Sequence, residues 1–277
     1  MTSLTLASNL PPASGRAGLS GSLRSEWTKI RSVRSTLYSI AVMAAIAVGL
    51  NALINYLGVV RRWDGMEPAE QARFIADPLP NILAGPMSIA QFAVAVIGVM
   101  AISSEYATGM IRSTLQAQPR RMTVFTAKLL VLGALMLVVG EFVSFAAFFV
   151  GKAVIGGHVP VQLSDPGVLR AVVGGGLYIA VLALFSLAFG ALLRHTAGGI
   201  TAVLGIMLVL SNLTSLLPDN WGRHVNAYMP TNAGSLVFMQ HVDPKHLLTA
   251  WQGLGVFALE TAVLLIAAAA LMKRRDA

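Results

Sequence analysis

Two carboxylates stand where a carboxylate is hard to keep. Glu141 and Glu260 each lie deep inside a long apolar run. If those runs cross a bilayer, an ionised carboxylate near its middle is unfavourable by at least a few kcal/mol. Such a group is paired, hydrated or protonated. It can relay a proton or touch a substrate in a pathway, or it can stay neutral and bond a neighbouring helix. Asn51, Asn55 and Gln91 pose the same choice with amides, whose commoner work in such surroundings is bonding between helices.

Other chemistry is excluded by what the sequence lacks. It has no G-x-x-x-x-G-K-[ST] phosphate loop, so it carries no ATP site of that kind. Gly174-Gly175-Gly176 sits inside an apolar run, without the strand-to-helix context of a phosphate cradle, and reads as room for close helix approach. There is no H-E-x-x-H, and His158, His195, His224, His241 and His246 show no ligand spacing, so no metal is expected. With no cysteine there is no disulfide, thiolate metal site or thiol nucleophile. No serine, histidine and acid order suggests a triad, and no catalytic residue, cofactor site or enzyme activity is assigned to the chain.

The elements that must position these residues follow from composition. Of 277 residues, 56% are hydrophobic and only 12% charged, about half the charged share of a soluble domain. A soluble core cannot hide that much apolar surface. Six runs are long enough to cross a ~30 Å hydrocarbon layer: 36–60, 82–102, 129–150, 169–193, 198–217 and 250–272. The expected fold is an all-α polytopic membrane protein. The second run is broken by Gln91 and preceded by Gly85-Pro86, and the outer end of the first is softened by Asn51 and Asn55.

With six spans the connections alternate sides. Thirteen of the lysines and arginines fall on the side of the two termini, with only Glu26, Glu105 and Asp276 against them; the other side carries seven bases and seven acids. The positive-inside rule then puts both termini in the cytoplasm. The basic excess also holds anionic lipid and argues against nucleic acid as partner. High Ala and Gly, with Arg favoured over Lys, fits a bacterial source and its cytoplasmic (inner) membrane.

Residues 1–20 read as a disordered tail, and 21–277 as one membrane domain. Leu23, Trp27 and Ile30 share a helical face just ahead of the first span, with basic residues around them. That pattern predicts a helix lying in the membrane interface. The long outer stretch 218–249 is expected to hold short helices that dip toward the outer leaflet.

The stretch between the second and third spans runs from Ser103 to Lys128. Ile111 and Leu115 stand at i and i+4 with Met110 and Thr114 beside them, which predicts a short amphipathic helix closed by Pro119. A helix projecting there is suited to docking a soluble partner.

The run Glu105-Tyr106-x-x-Gly109, Ile111-Arg112-x-x-Leu115, then Pro119-Arg120-Arg121 and Lys128, resembles ABC-2 type transporter permeases. In that family a Glu and a Gly-Thr-Ile-like step open this connection, and here Met110 replaces the Thr. Leu23-Arg24-x-Glu26-Trp27-x-Lys29, Leu193-Arg194-His195-Thr196-Ala197-Gly198 and Tyr228-x-Pro230-x-Asn232-Ala233-Gly234 are similar to further stretches of the family, in order. The resemblance implies six spans per subunit, a homo- or heterodimer of membrane subunits, and a separate ATPase docked in the cytoplasm that binds ATP and Mg. It makes Glu26, Trp27, Glu105, Tyr106, Gly109, Ile111, Arg112 and Leu115 the expected coupling residues.

Three functions are weighed. The first is a permease that exports a substrate using the partner's ATP. The second is a self-contained, proton-coupled carrier using Glu141 and Glu260, against which the lack of an inverted repeat counts. The third is a non-transporting scaffold or immunity protein.

Overall fold

The computed structural model describes residues 18–32, 34–118, 120–243 and 245–274. Most of the expected tail, Pro119 and the side chains of Arg112 and Leu115 lie outside the described residues. All regular structure within them is helical.

Helix α1 covers Leu19–Ser32. It begins four residues earlier than the interfacial pattern places it and takes in the end of the expected tail. Ser20, Gly21 and Ser22 are weak helix formers, but tertiary contact overrides propensity: Ser22 and Glu26 form the buried face. Trp27 points away, half exposed, where an amphipathic ring suits a membrane interface.

The six spans are Leu37–Gly65, Pro80–Ala107, Arg121–Ile155, Val168–Leu193, Thr196–Thr214 and Ala250–Arg274. They are built, in order, on α2 (Arg34–Gly58), α4 (Gly85–Ala107), α6 (Arg121–Ile155), α7 (Val168–Leu193), α8 and α9 (Thr196–Leu204 and Ser211–Thr214), and α12 (Ala250–Arg274). Between the first two spans lies α3 (Pro68–Ala76). Between the second and third lies α5 (Met110–Ala117). The stretch after the fifth span holds α10 (Asp219–Ala227) and α11 (Pro230–Ser235).

Two sequence expectations are corrected here. The second span is one continuous helix, not an interrupted one. It opens with a π-helical turn, Pro80–Ala84, that runs directly into α4. Pro86 has no N–H for the carbonyls four and five residues back. Those carbonyls, on Ile82 and Asn81, instead accept side-chain amides from α2: Asn51 Nδ2 donates to Ile82 O at 3.2 Å and Asn55 Nδ2 to Asn81 O at 2.9 Å. The third span, in turn, starts at Arg121 rather than near residue 129. Lys128 therefore sits two turns inside a helix, 6% exposed, rather than in the connection ahead of it.

The second and fourth spans are the most enclosed, while the first, fifth and sixth show most of their surface outward. Helices α4, α6 and α7 form the centre. Their backbones approach closely at glycines: a Cβ on Gly98 would come 2.6 Å from Ala183 O, and one on Gly140 2.8 Å from Gly176 O. Gly174, Gly175 and Gly176 likewise face Val237, Ser144 and Glu141 with no room for a side chain. Such small-residue contacts are how membrane helices gain van der Waals packing without a hydrophobic drive.

On the face opposite the termini, the segment after α11 is held inside the bundle. Leu236, Val237 and Phe238 are buried. The Arg170 guanidinium donates to Val237 O, Met239 O and Gln240 O at 3.0, 2.9 and 2.7 Å. Phe238 meets the Tyr178 ring edge-on at 5.2 Å, and Tyr178 is ten residues, about 15 Å, along α7.

Candidate functional site

The sequence placed its most informative residues around the α4–α6 connection, and the structure gathers several of them into one cluster. Glu26 from α1, Glu105 from the last turn of α4 and Lys128 from α6 are all buried; Lys29 from α1 closes the group and is partly exposed. Lys128 Nζ donates to Glu26 Oε2 at 2.6 Å and to Glu105 Oε1 at 2.8 Å. Lys29 Nζ donates to Glu26 Oε1 at 2.7 Å and to Glu105 Oε1 at 2.9 Å. Two ammonium and two carboxylate groups thus form a closed, neutral ring joining three helices.

Burial alone would lower the Lys29 pKa. The hydrogen bonds and charges of Glu26 and Glu105 outweigh it and hold the ammonium above its ordinary 10.5. Burying ions is repaid only when each is paired and hydrogen-bonded, and the ring achieves this for all but one atom: Glu105 Oε2 is buried with no partner among the described residues.

The same end of α4 is tied to the turn between the fourth and fifth spans. The Arg194 guanidinium lies 4.8 Å over the Tyr106 ring, a cation–π contact. Ser103 Oγ and Thr196 Oγ1 are 2.9 Å apart. Arg194 ends α7 in the left-handed region at φ 52°, and His195 Nδ1 accepts from Gly198 N–H at 3.0 Å to cap α8.

Gly109 links this hub to α5. Its φ of 71° lies in the left-handed region, so the chain reverses between α4 and α5 at a residue without a Cβ. Ile111 is buried at 5%, whereas Met110 is 43% exposed. Of the expected coupling residues, Glu26, Glu105 and Ile111 therefore face inward, Tyr106 is half-buried, and Trp27 is on the surface. Lys29 and Lys128 stood in the family-like runs but not among the expected coupling residues. The available signal was the repeated acid-base spacing Glu26 to Lys29, and Lys128 lying beyond a basic pair that can start a helix.

The intramembrane polar residues fall elsewhere. Gln91 Oε1 accepts from the Tyr178 hydroxyl at 3.0 Å, joining α4 to α7. Asn51 and Asn55 bond the π-turn as described. Glu141 lies against Gly176. Glu141 Oε2 and Glu260 Oε2 are both buried without a partner among the described residues. The structure does not bring either of them to the ring.

Six apolar helices, whose internal polar groups are largely bonded to one another, define a multi-pass membrane protein. The family model described as ABC-2 family transporter protein matches residues 22–215, and the chain belongs to that family. It is a permease subunit of an ABC transporter, of a kind that associates with an ABC ATPase and normally has no ATPase of its own. No curated protein matches the chain.

Proposed function

We propose that the chain is the membrane half of an ATP-driven exporter in a bacterial inner membrane, with both termini and α5 in the cytoplasm. Two membrane subunits surround the path, and a separate ATPase, holding ATP and Mg, docks beneath them. The observation that carries this reading is the arrangement of α5 and α1 about the buried ring. Met110 and Ser113 on α5, and Arg24, Ser25 and Trp27 on α1, offer an exposed surface. Immediately behind it, Glu105 is fixed to both α1 and α6. A push on α5 passes through the Gly109 turn to α4. The ring shares that push among α1, α4 and α6, and the Tyr106–Arg194 contact carries it to α7 and α8. The basic excess on this side supports the orientation.

The test is made on the exposed surface, because Glu105 is part of the packing. Met110→Glu with Ser113→Arg is expected to abolish co-purification of the ATPase and ATP-driven transport in liposomes, with an unchanged melting temperature in detergent. Retention of the ATPase and its full coupled activity would overturn the assignment of α5. A second reading is favoured by one feature, the unpartnered oxygens of Glu141 and Glu260: a proton-coupled carrier. It requires transport by the purified chain without ATP, lost in Glu141→Gln.

A further inference from the structure

A cavity of about 490 Å³ opens beside the ring, within the range of pockets that bury small ligands. Its long walls are two aligned helix faces, with Ile30 of α1, Ser39 of α2 and the partly exposed Met110 of α5 at its edges. Ala93, Val96, Ile97, Met100 and Ala101 come from α4, and Val131, Leu132 and Leu135 from α6. On α4 these positions, continued by Ser104 and Glu105, repeat at three and four residues, so they form one stripe. From Ala93 to Glu105 the stripe runs about 18 Å, close to one leaflet of a ~30 Å hydrocarbon layer. The deep end is apolar, and the end nearer the termini is the ring of Glu26, Lys29, Glu105 and Lys128.

The ring has unused capacity for both signs of hydrogen bonding. Each lysine ammonium has three donors. Lys29 uses two of them, and so does Lys128. Glu105 Oε2, on a residue only 2% exposed, accepts none from the described residues. A group that donates N–H to the carboxylate and presents an anionic oxygen to Lys29 completes both. Because the ring is neutral, it favours a zwitterion over a net charge.

We propose that this cavity binds one membrane phospholipid with a primary-amine zwitterionic head, of the ethanolamine type. The ammonium donates to the Glu105 carboxylate, the phosphate accepts from Lys29, and one acyl chain lies along the α4–α6 stripe. A choline head, with no N–H, cannot make the first contact, and a glycerol head lacks the cation.

The intact chain is purified in detergent and exchanged against an equal mixture of ethanolamine, choline and glycerol phospholipids with identical chains. Retained lipid is then counted by native mass spectrometry. One ethanolamine lipid per chain is expected, with at least tenfold lower retention of the other two. Ala101→Phe, which fills the stripe without touching the ring, is expected to remove it while the melting temperature in lipid-free detergent is unchanged. Glu105→Gln, which keeps the shape, is expected to abolish the preference among heads. Equal retention of all three heads would overturn the proposal. So would undiminished ethanolamine retention in a folded Ala101→Phe chain. Retention of the glycerol lipid to the same extent would reduce the site to a phosphate–lysine contact and overturn the role of Glu105.

Discussion

Lys128 shows how much a single side chain can hold together. Its ammonium bridges carboxylates from two other helices in a buried setting. Lys128→Ala leaves Glu105 relying on Lys29 alone and is expected to lower stability by about 3–5 kcal/mol, read by unfolding in mixed micelles. Replacing Lys128 by Met together with Glu105 by Leu is expected to recover most of that loss. Glu26 then keeps Lys29, and the removed charges no longer need each other. Lys29 gives a pH signature. Its folded pKa lies above 10.5, so its stabilisation is whole below 10.5 and is lost as pH rises through the folded value. Melting temperature is expected to fall more steeply above pH 10.5 in the native chain than in Lys29→Met, while the two curves run parallel at lower pH.

At the scale of elements, hydropathy made the six spans readable, because twenty apolar residues leave few alternatives to crossing a bilayer. The ends were less readable. The first two turns of α6 bury Val124, Phe125 and Ala127, but Arg121 and Lys128 set them apart from the long apolar run, and Lys128 is accommodated only because it has buried partners far away in sequence. Gln91 interrupts the apolar run of the second span but not its helix, and Pro86 also falls inside that helix. The proline is absorbed because Asn51 and Asn55 supply the donors it lacks, a pairing across about thirty residues that periodicity does not encode. The ring was half legible: all four residues stood in the family-like runs, but only Glu26 and Glu105 were expected to couple, and nothing in sequence pairs them with Lys29 and Lys128. Helix contacts follow the glycines, and Gly98 is a direct test of the α4–α7 seam. Gly98→Leu would drive a side chain into Ala183 O and the Ser186 side chain. It is expected to lower stability by about 1–3 kcal/mol or more, whereas Gly49→Leu on α2, which meets nothing, is expected to be neutral in the same assay.

Across the whole molecule, the first, fifth and sixth spans are incompletely covered by their own chain, and the fifth has a particular dependence. It is the shortest span and the least apolar of the six. Its last turns contain a π-helical stretch, Gly205–Leu210, and its end is closed from outside the span. Asn226 Nδ2 donates to Ser211 O at 3.2 Å and to Thr214 Oγ1 at 3.0 Å, and Asn232 Nδ2 reaches the same Ser211 carbonyl at 3.5 Å. Both asparagines leave the ribosome after the span they complete. The order of synthesis thus becomes part of the fold: the fifth helix enters the bilayer with its far end unfinished and is secured only when residues 226–232 arrive. A chain cut just past Leu217 and extended by a neutral linker long enough to clear the ribosome tunnel is expected to let that helix slip back in an in vitro insertion assay, and one that carries residues 218–250 ahead of the same linker to hold it across.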